Sequence, residues 1–245
     1  MCPSVYIFGQ NIFLYDIFLI FGTIAGLGIM FFTLYKTEAH DKRLYIVYVL
    51  SLFISAPFSR VLRGISEAYS LEEFIKSGSH FMGMVLVFYF IFPVVYRPVY
   101  KQKPCEGVKS VSSLFFLIQH IFSRIGCYTL GCCFGKPYKG PFSIVFPYGT
   151  NPYNVYGREV NIFPTQIFEV LFSVFIFIAV VWGIKNRKNY TFSLFVLLFS
   201  LCIFISEFFM YRYGYEREIL IFSIPQICCI IIGISELFRR MKYCE

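Results

Sequence analysis

Residues 11–34 read NIFLYDIFLIFGTIAGLGIMFFTL, an apolar run whose one charged side chain is Asp16. The run exceeds the roughly 20 apolar residues that a helix needs to cross the hydrocarbon core of a bilayer. It lacks the basic front and the small-residue cleavage site of a secretory signal peptide, so we expect a retained membrane span. Similar runs recur along the chain, which is 58% hydrophobic and 15% charged. Soluble domains carry about 25% charged residues, so this composition indicates a membrane protein.

The distribution of positive charge predicts how the chain is oriented in the membrane. A net charge of +8 could indicate a nucleic-acid partner in a soluble protein, but here the basic residues fall mainly between apolar runs. Four groups contain most of them: Lys36, Lys42 and Arg43; Arg97, Lys101, Lys103 and Lys109; Lys185, Arg187 and Lys188; Arg239, Arg240 and Lys242. Because Lys and Arg accumulate in cytoplasmic loops, these groups predict the cytoplasmic ends of the spans. We expect the membrane, and no nucleic acid, as a partner.

The apolar runs and the basic groups together predict one all-α, polytopic membrane domain comprising residues 1–245. About seven transmembrane helices are expected, at 11–34, 44–62, 80–96, 111–130, 163–184, 190–211 and 218–238, with the N-terminus outside and the C-terminus cytoplasmic. Helices are required because backbone amides in lipid must bond within their own segment. Two polar segments, about 63–79 and 131–162, then lie on the outer side. We therefore expect the functional site on the outer face, since long ordered loops are commonly functional.

The stretch SRIGCYTLGCCFGKP at 123–137 gathers an arginine, three cysteines and three glycines in a chain that is otherwise mostly apolar. An arginine at the end of a span is costly unless it reaches the interface or faces a polar cavity. Since glycines and a polar loop follow Arg124, we interpret it as a ligand for an anionic group, and a guanidinium suits a lipid phosphate. Three glycines would let the backbone approach that ligand, although helix packing also explains glycine in a span: Gly126, Gly131 and Gly135.

The cysteines of this stretch have several possible roles. The total of nine is odd and scattered through apolar segments, which argues against a disulfide framework. Cys127, Cys132 and Cys133 could bind a metal, but Cys-x4-Cys-Cys is not a zinc spacing and no second Cys or His pair accompanies it, so no metal is expected. A nucleophilic or redox thiol beside basic residues is a further alternative.

Further polar side chains fall within or beside the predicted spans. His80, at the start of the third span, is a candidate general base or a hydrogen-bonded interfacial residue, whereas the mid-helix His120 is expected to be structural. In FPTQIFE at 163–169 the proline suits a helix start, and Gln166 and Glu169 lie one turn apart on one face. Three more candidates complete the set: Glu207, Gln226, and Arg60, which otherwise extends to the interface. We expect these groups to line one outward-opening cavity, with Glu169 as the partner of Arg124.

These motifs resemble the prolipoprotein diacylglyceryl transferase family of bacterial inner membranes. The family signature around an essential arginine, approximately GRxGNFxNGExxG, is similar to SRIGCYTLGCCFG at 123–135. Its HPxQLYE, IEFFR and SxGQIL motifs resemble FPTQIFE at 163–169, ISEFF at 205–209 and SIPQIC at 223–228. Near the N-terminus, FGTIAGLG at 21–28 and SGSHFMG at 77–83 resemble YGLMxALG and GxSFHGG.

The resemblance implies a multi-pass protein of the bacterial cytoplasmic membrane, expected to be a monomer without a cofactor. The implied reaction transfers diacylglycerol from phosphatidylglycerol to the lipobox cysteine thiol of a lipoprotein precursor and releases glycerol phosphate. It implies catalytic roles for Arg124, His80 and Glu207. It implies substrate-binding roles for a larger group: Gly126, Cys127, Gly131, Gly135, Arg60, Gln166, Glu169 and Gln226.

The sequence departs from the family pattern at several positions. Cys127 and Cys132 replace an asparagine and an acidic residue of the signature, and Phe21 replaces a tyrosine. A gapless alignment places Met82 at the family histidine, so that His80 corresponds to it only after a shift of two residues. The second family arginine falls at Ile203, and either Arg158 or Arg212 would have to replace it.

Two alternatives to the transferase therefore stay open. A divergent paralogue could bind phospholipid or a lipidated peptide without this transfer, or could use another acceptor. A membrane thiol protein could use the three cysteines for redox or metal chemistry.

Overall fold

The computed structural model describes residues 4–7, 10–36, 41–67, 81–211 and 224–242. Eight helices in these ranges contain most of the described residues. They are α1 (Leu14–Lys36), α2 (Lys42–Glu67), α3 (Phe81–Tyr100), α4 (Glu106–Leu130), the short α5 (Asn151–Tyr156), α6 (Thr165–Lys185), α7 (Thr191–Phe209) and α8 (Ile224–Lys242). Two antiparallel strand pairs accompany them: β1 (Ser4–Ile7) with β2 (Gln10–Phe13), and β3 (Ile144–Val145) with β4 (Asn161–Ile162).

Five of these helices are long and apolar enough to cross a membrane. They are α1, the part of α2 at Lys42–Val61, α3, α6 and α7. The mostly helical, polytopic character predicted from the sequence is therefore confirmed. The remaining two predicted spans overlap α4 and α8, and residues 218–223 of the last one lie outside the described residues. The total of seven spans and the orientation of the termini stay predictions.

Helix α4 lies at the centre and packs against α1, α6 and α7. Its contact with α1 is close because glycines remove the side chains between the two backbones. A Cβ atom at Gly22 would lie 2.8 Å from Cβ of Phe122, and one at Gly26 would lie 3.0 Å from the Phe115 ring. From the other side, a Cβ atom at Gly126 would lie 3.2 Å from Cα of Tyr15. Gly126 thus serves the α1–α4 contact.

An aromatic cluster fills the space between α3, α4 and α7. The rings of Phe88 and Phe116 meet edge to face with centroids 5.1 Å apart, and Phe195 stacks on Phe199 at 5.4 Å. All four side chains are buried. Ile203 lies in the same core at 5% exposure. An apolar side chain thus occupies the position where the family resemblance implies an arginine.

The connecting segment 131–164 is ordered and has a small core of its own, formed by Phe134, Phe146 and Ile162. Residues 134–138 run as a central strand-like stretch between two neighbours. On one side, Tyr138 N–H donates to Asn161 O at 2.8 Å, and on the other, Tyr211 N–H donates to Phe134 O at 2.8 Å. We call residues 134–138 with these hydrogen bonds the hydrogen-bonded seam. It joins the segment to the residues just before α6 and to the end of α7.

The polar segment predicted at 63–79 begins within α2, which continues to Glu67, so its first residues are helical. The rest of that segment, together with His80 and Arg212, lies outside the described residues.

Candidate active site

A buried ion pair joins α4 to α6. Nε of Arg124 lies 2.6 Å from Oε2 of Glu169, and the side chains are 14% and 0% exposed. Both residues occupy helix positions that face the contact between α4 and α6. A buried carboxylate without a partner is strongly disfavoured, so the pair holds the arginine in one place. The structure thus brings together the arginine and the glutamate that the sequence predicts as partners.

Three further side chains complete the polar network around Glu169. Nε2 of His120 lies 3.1 Å from Glu169 Oε2, and its Nδ1 lies 3.0 Å from Oγ of Ser173. The Ser206 hydroxyl of α7 donates to Glu169 Oε1 at 2.7 Å. All of these side chains are buried. Side chains of α4 and α7 thus fix the carboxylate of α6, and the carboxylate in turn orients Arg124.

The participation of His120, Ser173 and Ser206 in this network was not predicted from the sequence. Their spacing gave a partial indication, because His120 and Arg124 are four residues apart and therefore share a helix face. Likewise Ser173 lies four residues after Glu169. For Ser206 the pairing of α7 with α6 had to be known first.

The first turn of α6 holds the chain that follows α4. Oγ1 of Thr165 donates to the Cys133 carbonyl at 2.6 Å, and Nε2 of Gln166 donates to the Cys132 carbonyl at 2.7 Å. Both donors are buried. The predicted role of Gln166 in a polar cavity thus takes a specific form, because its amide positions the backbone of the cysteine-containing turn.

That turn gathers the three cysteines. Gly131 caps the C-terminal end of α4 in a left-handed conformation with φ 71°. In this Schellman-type cap the Cys132 N–H donates to the Cys127 carbonyl at 3.0 Å. The backbone of Cys133 is also left-handed, with φ 55°. The Sγ atoms of Cys127, Cys132 and Cys133 consequently all lie within 4.8 Å of one another. We refer to these three residues as the thiol cluster.

The thiol cluster contacts the arginine electrostatically. The thiols of Cys127 and Cys132 and the Arg124 guanidinium lie beside the thiol of Cys133. These neighbours, the two thiols first, lower the pKa of Cys133 well below its usual value. The neighbouring thiols of Cys127 and Cys133 raise the pKa of Cys132. Cys133 is therefore a more acidic thiol than Cys132.

A small cavity of about 130 Å³ opens beside the guanidinium, between α4 and α6. Its lining comprises Arg124, Ile125, Tyr128, Gln166, Ile167, Val170 and Leu171. An apolar wall with one cation suits an amphiphile whose charged group meets the arginine. A larger cavity of about 990 Å³ lies between the C-terminal ends of α1 and α6 and the start of α4, and none of the predicted site residues lines it.

The other predicted site residues occupy varied positions. Glu207 is buried directly after Ser206, in the last turn of α7. Gln226 is fully buried in the first turn of α8, and neither atom of its amide group has a hydrogen-bond partner within the described part of the chain. Arg60 and Arg158 are exposed. Gly135 permits a close crossing of backbones, since a Cβ atom there would overlap the Phe163 carbonyl.

The chain is similar to known proteins of one family. A family model described as prolipoprotein diacylglyceryl transferase matches residues 4–239. A phosphatidylglycerol–prolipoprotein diacylglyceryl transferase of Clostridium tetani is 32% identical over 89 residues, and a second one of Clostridium perfringens is 34% identical over 89 residues. A relative of that name from Francisella tularensis subsp. novicida is 36% identical over 98 residues.

These matched segments cover 36–38% of this chain and about a third (33–34%) of the length of each relative. The family model, by contrast, extends over nearly the whole chain and includes the ion pair, the polar network and the thiol cluster. The chain therefore belongs to the prolipoprotein diacylglyceryl transferase family.

Proposed function

We propose that the protein transfers a diacylglyceryl group from phosphatidylglycerol to the lipobox cysteine thiol of a lipoprotein precursor. The observation that carries the proposal is the position of Arg124, buried against Glu169 at the mouth of a cavity between two helices. Because Glu169 occupies only its Nε atom, the guanidinium has further donors for an anionic ligand, and the apolar walls suit the acyl part of a lipid. Membership of the family supplies the reaction that fits such a ligand.

The reaction replaces one bond by another at a glycerol carbon. The acceptor thiol loses its proton to water, and its sulfur forms a bond to the carbon that bears the phosphate. The bond from that carbon to oxygen breaks, and its electron pair passes to the phosphate oxygen. Glycerol phosphate then leaves with an additional negative charge. Donors that are already oriented stabilise such a charge best, because they need no reorganisation during the step.

Arg124 fits the role of that donor. Glu169 contacts its Nε atom, and a guanidinium carries further donors on its two terminal nitrogens, which match the spacing of two phosphate oxygens. Glu169, His120 and Ser206 act as positioning residues. Glu169 contacts the guanidinium directly, and His120 and Ser206 contact the Glu169 carboxylate. We further propose that the protein works as a monomer, spans the bacterial cytoplasmic membrane about seven times, and meets the precursor peptide on the outer face.

One observation favours the second candidate, a paralogue that binds lipid without transfer. Ile203 is packed in the apolar core at the position where the family resemblance implies another arginine. If a second cation is essential for the leaving group, this chain would retain affinity for phosphatidylglycerol but not turn it over.

An assay with purified protein in phosphatidylglycerol nanodiscs separates the two candidates. A lipobox peptide is added, and both glycerol phosphate release and peptide mass are followed, with Arg124→Ala and the exposed control Arg97→Ala in parallel. For the transferase we expect product from the unaltered protein and from Arg97→Ala, and a loss of at least about 100-fold in Arg124→Ala. Lipid binding without glycerol phosphate release by folded protein would refute the transferase and favour the binding paralogue.

A further inference from the structure

The thiol cluster has the dimensions of a metal site. Its three sulfur atoms lie within 4.8 Å of one another, and all three thiols are free. Zinc binds thiolates at about 2.3 Å, which places the sulfurs of a tetrahedral site about 3.8 Å apart. Small rotations of the side chains would therefore suffice to bring all three sulfurs onto one ion. The Cys-x4-Cys-Cys spacing, which on sequence grounds argued against zinc, is compatible with it because the backbone reverses at Gly131.

The backbone of the cluster is fixed before any ion binds. The Schellman-type cap at Gly131 brings Cys132 back to Cys127, and the left-handed conformation of Cys133 turns its side chain in the same direction. A non-glycine residue in that conformation is strained and persists only where neighbours enforce it. Here the first turn of α6 enforces it through Thr165 and Gln166, which hold the two cysteine carbonyls. Such rigid placement is typical of a ligand set.

Three protein ligands leave one coordination position open. Zinc sites of this kind take water or a substrate in the fourth position, in contrast to closed four-cysteine structural sites. Cys127 is buried, whereas Cys132 and Cys133 are partly exposed, so the open position lies on the exposed side of the cluster. Arg124 lies beside Cys133, one of these two partly exposed cysteines. A group bound at that position would therefore lie next to the arginine that we assign to the phosphate.

We propose that Cys127, Cys132 and Cys133 bind one Zn²⁺ ion as thiolates, and that the acceptor thiol of the lipoprotein precursor takes the fourth position. This inference rests on the transferase function proposed above. Coordination removes the proton of the acceptor thiol to water and keeps the sulfur as a thiolate. The sulfur then bonds to the glycerol carbon, while the electron pair of the breaking carbon–oxygen bond goes to the phosphate oxygen. No oxidant or reductant is required.

The position of Arg124 beside Cys133 supports this assignment. Four thiolates on Zn²⁺ carry a net charge of −2, which would be costly at a membrane site without a cation nearby. Arg124 beside Cys133 supplies one positive charge, which it shares with Glu169 at 2.6 Å. The same arginine thus serves both the nucleophile and the leaving group, which must approach one another in the reaction.

Metal content is the first measurement. Protein purified under reducing conditions from zinc-supplemented cells should contain about one zinc per chain by mass spectrometry. We expect Cys127→Ser and Cys132→Ser to lose it, and the control Cys105→Ser to keep it, because Cys105 is exposed and outside the cluster. Absence of zinc from the unaltered protein, or full zinc content in Cys127→Ser, would overturn the site. If the serine variants aggregate, the unaltered protein is used in their place. Its metal is removed with a chelator and zinc is then added back.

Cobalt spectroscopy tests the acceptor role without reference to activity. Co²⁺ in the three-cysteine site should give a thiolate-to-metal absorption in the near ultraviolet, which grows by about a third when a lipobox peptide adds a fourth thiolate. The same peptide with serine in place of cysteine should leave the spectrum unchanged. An identical spectrum with both peptides would refute the acceptor role. Purified protein that contains copper or iron instead of zinc, and whose spectrum does not change when the peptide is added, would refute it as well.

Failure of this inference can be told apart from failure of the transferase. We expect the zinc-free protein to lose at least about 100-fold in transfer rate and to recover it when zinc is restored. Undiminished transfer by zinc-free protein would remove zinc from the reaction and leave the transferase intact. A zinc-loaded protein that responds to the peptide but releases no glycerol phosphate would instead refute the transferase.

Discussion

The side-chain amide of Gln166 donates a hydrogen bond of 2.7 Å to the carbonyl of Cys132, so that one buried contact ties α6 to the turn that ends α4. This contact places a polar residue of one helix under the backbone of the thiol cluster. It also explains how two motifs that lie more than 30 residues apart form one site.

Replacement of Gln166 tests the importance of this contact. Gln166→Leu should leave the Cys132 carbonyl buried without its donor, which costs about 1–3 kcal/mol of stability. We expect transfer to fall about 10–100-fold, as for other residues that orient ligands. Unfolding in detergent and the transfer rate are the measurements. Asn186→Leu is the control, since its side chain bonds only to the exposed end of α6. Equal activity in Gln166→Leu and the control would contradict the positioning role.

The buried ion pair predicts strong coupling between Arg124 and Glu169. Glu169→Leu should reduce the free energy of unfolding by about 3–5 kcal/mol, because it leaves a buried guanidinium without its counter-ion. The double variant Arg124→Met/Glu169→Leu should recover most of that stability while remaining inactive. A double-mutant cycle from unfolding in mixed detergent measures the coupling. Additive effects would show that the two side chains do not interact as the structure places them.

The glycine contact between α1 and α4 predicts a steric effect. In Gly126→Val the added Cβ atom would meet the Tyr15 backbone at 3.2 Å, and its methyl groups would force the helices apart. We expect a loss of about 1–3 kcal/mol of stability. Gly28→Val is the matched control on α1, because a Cβ atom there meets nothing within 4 Å. The melting temperatures of the two variants should differ clearly, and equal values would contradict the packing.

Removal of the Gln226 amide should raise the stability of the protein and weaken its binding of lipid. Its amide is fully buried and lacks a hydrogen-bond partner within the described ranges, so Gln226→Leu should be more stable by about 1–3 kcal/mol. We expect the same change to weaken the affinity for phosphatidylglycerol, measured with nanodiscs of graded lipid content. A variant that binds lipid as well as the unaltered protein would rule out a binding role for this amide.

The orientation in the membrane can be tested by thiol labelling. Phe142 is 88% exposed in the connecting segment, and Arg187 is exposed beyond the end of α6. A membrane-impermeant maleimide should label Phe142→Cys in intact cells above the background of the native cysteines, and Arg187→Cys only after lysis. The reverse pattern would show that the predicted orientation is inverted.

The sequence was sufficient for the helical, membrane-spanning character and for the central pair. Apolar runs of bilayer length identify α1, α3 and α6 without tertiary information, and charge complementarity pairs Arg124 with Glu169. The contribution of Ser206 could not be predicted, because it depends on which face of α7 meets α6. Gly126 illustrates the same limit: a motif glycine in the sequence proves to be a helix-packing residue once its neighbours are known.

The thiol cluster shows a different limit of sequence reasoning. On sequence grounds no metal was expected, because Cys-x4-Cys-Cys, with four residues between Cys127 and Cys132, is not a zinc spacing. Two left-handed residues, Gly131 and Cys133, reverse the chain and remove that separation. Backbone conformation at single residues is set by the contacts that enforce it, and those contacts come from α6.

The hydrogen-bonded seam of residues 134–138 divides the connecting segment into parts that tolerate engineering very differently. Residues within the seam bond to neighbours on both sides, so an insertion there would separate α6 from α7. The tip at residues 140–142 projects beyond the seam, with Phe142 almost fully exposed. A fluorescent reporter or an epitope placed at that tip would leave the register of the helices intact. It would give a handle for following the protein in living cells.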